Sequence, residues 1–476
     1  MRQFWNNTKV ICTIGPSCAK KTVLRQMILA GMDIARFNFS HGKPSEHVAQ
    51  IRKVKKMASD LGVPLAILQD LPGPKIRIGP LKDEFILLEK GQRFFLSSRA
   101  IVGTSEGVSV NHPAFVRQLK RNHVVYLNDG LVKLVVLSKA KDGVICSVIS
   151  GGMIYPKKGV SCPGLLSKLS PVTAHDVKCL EYGIAAGVDF VAVSFVQRAA
   201  DILKVKNYLK RKAGGKNISV IAKIERKIAV KDIDNIINVS DGIMVARGDL
   251  GVEAALEEVP FLQKEIIKKC NAHGRPVITA TQMLESMVYN PQPTRAEVTD
   301  VANAILDGTD ALMLSEETAV GKFPVKTVKM MISIASRCEE KLNSFLKSAD
   351  SAVPEGENLI ESFSRAAVDI ARHTRAKAII VPALNVHPIS WLSRRRPMTP
   401  VVGITTKEDV CKKLILFWGV YPVTIKKFAG LQETLDRSVQ LVKAKGLAKQ
   451  KDNVVIMLTK DNRLVTSNIM EVRTIK

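Results

Sequence analysis

The chain has no apolar run that reaches the roughly 18 to 20 residues of a membrane-spanning helix, so no helical span is expected. Its first residues, Met1-Arg2-Gln3-Phe4-Trp5-Asn6-Asn7, include no signal-peptide hydrophobic region, which leads to the expectation of a cytoplasmic protein. Cysteine comes in no C-x-x-C pair: the 8 thiols are scattered, and several lie within apolar runs such as Val10-Ile11-Cys12. Reduced structural thiols are expected, with neither a disulfide framework nor a zinc site. Neither G-x-x-x-x-G-K-[ST] nor G-x-G-x-x-G occurs, which removes the Walker and dinucleotide folds as sources of nucleotide binding. Acidic residues are scarce beside basic ones, 44 Asp and Glu against 71 Lys and Arg, a net charge of +27. Such a field attracts anions, either phosphorylated metabolites or nucleic acid. The basic residues are spread along the whole length without an aromatic-interleaved module, so nucleic acid is expected only as non-specific side binding.

What is present is a chain of 476 residues, 46% apolar, long enough for two or three cores. Short β-branched runs, each followed by a helical pattern, recur at Lys9–Gly15, Ile34–Ser40, Pro64–Asp70, Val188–Phe195, Ser219–Glu225, Asp241–Arg247, Pro276–Thr281 and Ala311–Ser315. Runs this apolar fit parallel strands buried on both faces, and eight β-α units predict an α/β fold of the (β/α)8 TIM-barrel type. The rhythm breaks between Asp70 and Val188, where short alternating strands punctuated by turns predict a β domain inserted over the C-terminal face as a lid. The segment Ser348–Asn358 reads as a linker. Beyond it, strands Ala378–Pro382, Pro400–Thr405, Tyr421–Ile425 and Asn453–Thr459 alternate with helices, which predicts a C-terminal doubly wound α/β domain. The expected division is 1–74 with 166–346 for the catalytic barrel, 75–165 for an inserted β-barrel lid, and 358–476 for the last domain.

Polar residues gather at the ends of the predicted strands, where barrel enzymes keep their chemistry. The second run ends Arg36-Phe37-Asn38-Phe39-Ser40-His41-Gly42 and the third ends in Asp70; the fifth contains Lys223 and Glu225. The sixth ends Arg247-Gly248-Asp249, the seventh Thr279-Ala280-Thr281-Gln282, and the eighth in Ser315. Lys223 and Glu225 are two apart on a strand and share a face. With Asp249 from the next strand they would be costly to bury unless paired or metal-bound. A hard divalent cation on Glu225 and Asp249, with Lys223 beside it, makes a phosphate or enolate site; the alternative is a structural Lys–Glu ion pair. Arg36 suits bidentate phosphate recognition, and Asn38, Ser40 and Asp70 are an oxygen-rich set suited to a hard cation. The alternative there is an ordinary polar strand end with turn-forming residues. Arg247-Gly248-Asp249 spells an adhesion tripeptide, but its place after an apolar strand fits the barrel site better.

Thr13-Ile14-Gly15-Pro16, Ala35–Gly42, Gly73-Pro74-Lys75-Ile76-Arg77, Ile221–Glu225, Met244–Glu253, Ile278–Pro291 and Pro293–Gly321 resemble, in order and spacing, the successive signatures of the pyruvate kinase family. The resemblance implies a glycolytic phosphotransferase that moves the phosphoryl group of phosphoenolpyruvate onto ADP to give pyruvate and ATP. It implies Mg²⁺, with Mn²⁺ as an alternative, on Glu225 and Asp249, and Gly248 offering its backbone N–H nearby. Lys223 would neutralise charge on the transferring group and then the enolate. Thr281 would lie where the enolate carbon is protonated, and Arg36 and Arg77 would grip phosphates. Asn38, His41 and Lys158 would contact the nucleotide, and a homotetramer is implied. Asn38, Ser40 and Asp70 match the family's monovalent-cation site, but Leu71 stands where a Thr is common and Lys75 where potassium-dependent members have Glu. K⁺ is therefore expected not to be required, with Lys75 as the built-in substitute.

Departures from the pattern are Gly159-Val160-Ser161-Cys162-Pro163-Gly164, Thr173-Ala174-His175-Asp176, Glu316 after Ser315, and a last domain whose basic stretch Ser393-Arg394-Arg395-Arg396-Pro397 alone resembles the family. Two other readings compete with this one. A metal-dependent aldolase on the same barrel explains the carboxylates but neither the insert nor Gly73–Arg77. A non-catalytic, basic nucleic-acid binder should have lost Lys223, Glu225, Asp249 or Thr281, and has lost none.

Overall fold

The computed structural model describes residues 6–128, 130–165, 170–346, 358–428, 430–460 and 466–476. Residues 348–357 of the linker predicted at Ser348–Asn358, the expected boundary residues 166–169 and Asp129 lie outside the described residues.

Eight parallel strands close into a barrel: Lys9–Thr13, Ile34–Asn38, Ala66–Asp70, Phe190–Val193, Ser219–Ile224, Gly242–Ala246, Val277–Ala280 and Ala311–Leu314. The last pairs back onto the first, Lys9 opposite Ala311 and Cys12 opposite Leu314. Nearly every strand residue is buried, because inward side chains fill the barrel and outward ones meet the helices. Thr173 and Thr294 start two of these helices with capping boxes, each hydroxyl accepting from the backbone N–H three residues on. Asp176 of the first box also accepts Gly73 N–H at 2.9 Å, which ties that helix to the loop leaving the third strand. The departure at His175 thus leaves the two residues that do this work, Thr173 and Asp176, intact.

Between the third and fourth strands the chain forms its own apolar core, from Ile76 to Cys162. The strands make a six-stranded sheet, in the order 160–161, 124–127, 132–140, 143–150, 93–97, 107–109, with 86–88 and 152–154 as a separate ribbon. Beside the outer strands Gly107–Ser109 and Val160–Ser161, isolated bridges join Ile78 to Val110 and Arg77 to Gly159, so one segment meets both edges of the sheet.

The C-terminal sheet has five strands, in the order Val420–Thr424, Val401–Thr405, Ala378–Pro382, Asn453–Leu458, Ile469–Thr474. Four are parallel, as predicted; the last, antiparallel to Asn453–Leu458, was not foreseen. This layer closes the end of the barrel remote from the site. Ile415 and Leu416 join the buried cluster inside the barrel, with Ile11, Ile221 and Met313. Around them Arg396 pairs with Asp310 at 2.7 Å, and Lys412 Nζ donates to Leu65 O at 2.8 Å.

Candidate active site

The fifth strand carries Lys223 inward at the barrel's C-terminal mouth. Its ammonium has three oxygen partners: Ser194 Oγ at 2.7 Å, Glu225 Oε1 at 2.9 Å and Asp70 Oδ1 at 3.1 Å. Burial alone would pull this amine down, but the carboxylates of Asp70 and Glu225 outweigh it and hold the pKa above the usual lysine value. Asp70 behaves correspondingly. Burial would raise it, yet Lys223 and Arg36 keep it below the usual carboxylate range. Arg36 donates through Nε to Asp70 Oδ2 at 2.8 Å and through Nη1 to Thr13 Oγ1 at 2.8 Å, so its guanidinium is held by two neighbouring strands.

Glu225 lies one residue beyond the strand, and its other oxygen accepts Phe195 N–H at 2.6 Å. Burial first, and the like charge of Asp249 next, push its pKa up, against the pull of Lys223. A divalent cation between the two carboxylates would relieve both. Two carboxylates suit Mg²⁺, which keeps waters and substrate oxygens as its other ligands. Among the described residues no group of three or more His, Cys, Asp or Glu could form an all-protein cage. Lys75 lies 3.6 Å from Asp249, so the expected cation substitute stands beside the expected metal ligand.

Gly248 gives its N–H to Thr281 Oγ1 at 2.8 Å. Thr281 has φ +71° and Gln282 φ +54°, left-handed values that cost a β-branched residue on the order of 1–3 kcal/mol and that gather at functional sites. Asn38 Oδ1 accepts Ser40 N–H at 3.1 Å. Both line a cavity of about 110 Å³ with Arg36, His41, Lys75, Arg77, Lys223, Glu225, Asp249 and Thr281. Partial desolvation, then the charges of Arg77, Lys75 and Arg36, pull His41 below the ordinary imidazole value, and Glu316 opposes them. That places the unexplained Glu316, exposed on the first turn after the eighth strand, within electrostatic reach of His41. Lys158 stands in the insert: its carbonyl accepts Ile78 N–H, and Arg77 Nη1 donates to Lys157 O at 2.8 Å. The structure thus brings Arg36, Asn38, Ser40, His41, Lys223, Glu225, Asp249 and Thr281 into one mouth, with Asp70 committed to Arg36 and Lys223, and leaves Lys158 in the insert, on the turn before the strand Val160–Ser161.

Sequence reasoning missed Ser194, Phe195, Thr13 and Arg247, which grip Lys223, Glu225, Arg36 and the Thr281 turn. Ser194-Phe195 follows the fourth strand as the polar ends follow the others, the one available signal. Phe195 has φ +56°, and a Cβ on Gly73 would come within 2.9 Å of its ring, so the glycine there is sterically required.

Comparison with known proteins agrees with this architecture. The family model described as pyruvate kinase, barrel domain, matches residues 5–328, and the one described as pyruvate kinase, alpha/beta domain, matches residues 361–473. A pyruvate kinase of Clostridium acetobutylicum is 39% identical over 98% of this chain and 99% of its own length. One of Thermococcus litoralis is 40% identical over 95% and 94%, and one of Bacillus licheniformis 40% over 98% and 80%. With both family models together spanning most of the chain, and two of these relatives matched along 94% and 99% of their own length, this chain belongs to the pyruvate kinase family.

Proposed function

We propose that the barrel mouth transfers the phosphoryl group of phosphoenolpyruvate to ADP, yielding pyruvate and ATP. The observation that carries this reading is the Lys223 ammonium, fixed by Asp70, Glu225 and Ser194 inside the cavity that Arg36, Asp249 and Thr281 also line. A β-phosphate oxygen of ADP attacks phosphorus, the bond from phosphorus to the enol oxygen breaks, and the enolate then takes a proton at its terminal carbon. Lys223 and Arg36 place positive charge where the transferring oxygens and the enolate oxygen develop negative charge. Glu225 and Asp249 would hold Mg²⁺, or Mn²⁺, whose bound form supplies Lewis-acid neutralisation of the substrate's phosphate and carboxylate. Thr281 lines the same cavity, its hydroxyl accepting from Gly248 N–H, and would serve the protonation side. Asn38, His41, Arg77 and Lys158 would contact the nucleotide. The direct test is pyruvate formation from phosphoenolpyruvate and ADP with Mg²⁺; its absence from the folded protein would end this reading.

Monovalent-cation dependence follows from the same cavity. Leu71 is buried, its N–H donating to Ala192 O, and offers no hydroxyl ligand beside Asn38, Ser40 and Asp70. Lys75 already supplies an ammonium at the cavity wall. Turnover is expected to stay within about twofold when KCl replaces a tetramethylammonium salt at constant ionic strength, since the Lys75 ammonium already puts a positive charge in the cavity that Asn38 and Ser40 line. Strong activation by KCl would refute this.

Regulation by sugar phosphates is expected to be absent. The loop after strand Ala378–Pro382, Pro382-Ala383-Leu384-Asn385-Val386-His387-Pro388, has no hydroxyl and no glycine. Ala383 N–H is taken by Ile404 O and His387 N–H by Asn385 Oδ1, and the two prolines have none to offer. The nearby arginines have partners: Arg394 pairs with Glu361 and stacks on Trp391, and Arg396 is buried against Asp310. Fructose 1,6-bisphosphate, ribose 5-phosphate and AMP, titrated at subsaturating phosphoenolpyruvate, should change the rate by less than about twofold. A several-fold activation abolished by mutating residues 382–388 would contradict it. Cooperative binding of phosphoenolpyruvate through subunit contacts in a homotetramer is compatible with that loss.

A further inference from the structure

Arg247 ends the sixth strand's apolar run, one residue before Gly248, and has no role in the chemistry above. Its side chain is only 11% exposed. Nη2 donates to Thr281 O at 2.8 Å and to Gln282 O at 3.1 Å, and lies 2.9 Å from Met283 Sδ. Nε reaches Thr281 O at 3.3 Å, while Nη1 holds both oxygens of Asp300, at 2.7 and 2.8 Å. The two carbonyls it binds belong to the two consecutive left-handed residues, Thr281 and Gln282. That turn takes Thr281 and Gln282 off the strand ladder, and their carbonyls take the guanidinium as donor instead.

We infer that Arg247 is a positioning residue: its guanidinium, anchored by Asp300, clamps the Thr281–Gln282 turn and thereby fixes the Thr281 hydroxyl against Gly248 N–H. The inference rests on the reading that Thr281 serves protonation of the enolate carbon. A planar fork is required for it, because one group must meet two carbonyls on one side and a carboxylate on the other. Lysine, a point charge on a flexible stem, cannot span them. The clamp acts after phosphoryl transfer, so its loss slows delivery of the proton while leaving capture of phosphoenolpyruvate nearly unchanged.

The test uses the full-length protein, its Arg247→Met, Arg247→Lys, Asp300→Asn and Thr281→Ala variants, and the Arg247→Met/Thr281→Ala double variant. Two quantities are read: steady-state kcat and KM, and the rate at which pyruvate with MgATP in deuterium oxide exchanges a methyl proton for a deuteron. Arg247→Met should lose about 10- to 100-fold in exchange and in kcat, the usual range for a group that orients a functional residue, with KM for phosphoenolpyruvate within about threefold. Arg247→Lys should not rescue it. Asp300→Asn, which spares the clamp but weakens its anchor, should lose severalfold in exchange, and this variant decides the matter if Arg247→Met does not fold. The double variant should be no slower than Thr281→Ala, because both changes disable one unit. Unchanged exchange in Arg247→Met, or losses that multiply in the double variant, would overturn the inference while leaving Thr281 in its role. Normal exchange in Thr281→Ala would overturn that role, and the inference with it.

Discussion

Lys223→Met should lose at least about a hundredfold in kcat, while KM for phosphoenolpyruvate changes far less. The expectation follows from where the ammonium is held. Ser194, Glu225 and Asp70 fix it at 2.7 to 3.1 Å before substrate arrives, so its field acts on developing charge without reorganisation at the moment of reaction. Methionine keeps the length and removes the charge. Asp70 retains Arg36 as its partner, whereas Glu225 keeps only Phe195 N–H and the pull of any bound cation. Some loss of stability is therefore expected too, since breaking a buried pair leaves a carboxylate uncompensated. A thermal melt of the variant separates the two effects: a folded protein with unchanged kcat and only a weakened affinity for phosphoenolpyruvate would show the assigned role to be wrong.

The barrel was legible because strands buried on both faces must be apolar runs, and eight of them with helical spacers admit few other closures. Their ends were less so. The run Ser219–Glu225 was read as strand throughout, yet the strand stops at Ile224, and Glu225 meets Lys223 from just beyond it. Glu225 sits past the last ladder pair, Ile224 opposite Val245, where alternation no longer says which way a side chain points. The edge strand Ile469–Thr474, which folds back antiparallel on the strand just before it, was missed because it is only partly buried and shows no clean alternation. Ile415 and Leu416 gave no sign of plugging the barrel, since an apolar pair after a short helix reads as local core. Lys75 shows the limit for long side chains. The family resemblance set it at the cation site, but four rotatable bonds let it stand beside Asp249, on the short helix after the sixth strand. Arg247 was hidden by its own motif: reading Arg247-Gly248-Asp249 as a strand end gave Asp249 a ligand's role, and the guanidinium's two carbonyl partners exist only once Thr281 and Gln282 turn left-handed.

Glu225→Ala and Asp249→Ala should each bring turnover at saturating Mg²⁺ below about one hundredth of the parent's, because each leaves the cation with one protein carboxylate where two suit it. The two will fail differently. Glu225 is buried and shares its oxygens with Lys223 and Phe195 N–H, so Glu225→Ala also frees the ammonium to lean on Asp70 and leaves a backbone donor without its acceptor. Its kcat loss should persist at any metal concentration, and its melting temperature should fall. Asp249 is partly exposed, and Lys75 is the cation nearest to it. Asp249→Ala removes the like charge that pushes Glu225 up, so Glu225 alone will still bind metal, more weakly, in a protein whose stability is little changed. Mn²⁺ binding followed by electron paramagnetic resonance reads the metal directly, without turnover. Both variants should bind Mn²⁺ at least about tenfold more weakly than the parent, on the scale of losing one anionic ligand. Parent-like Mn²⁺ affinity together with an unchanged Mg²⁺ requirement in either variant would remove that residue from the metal site.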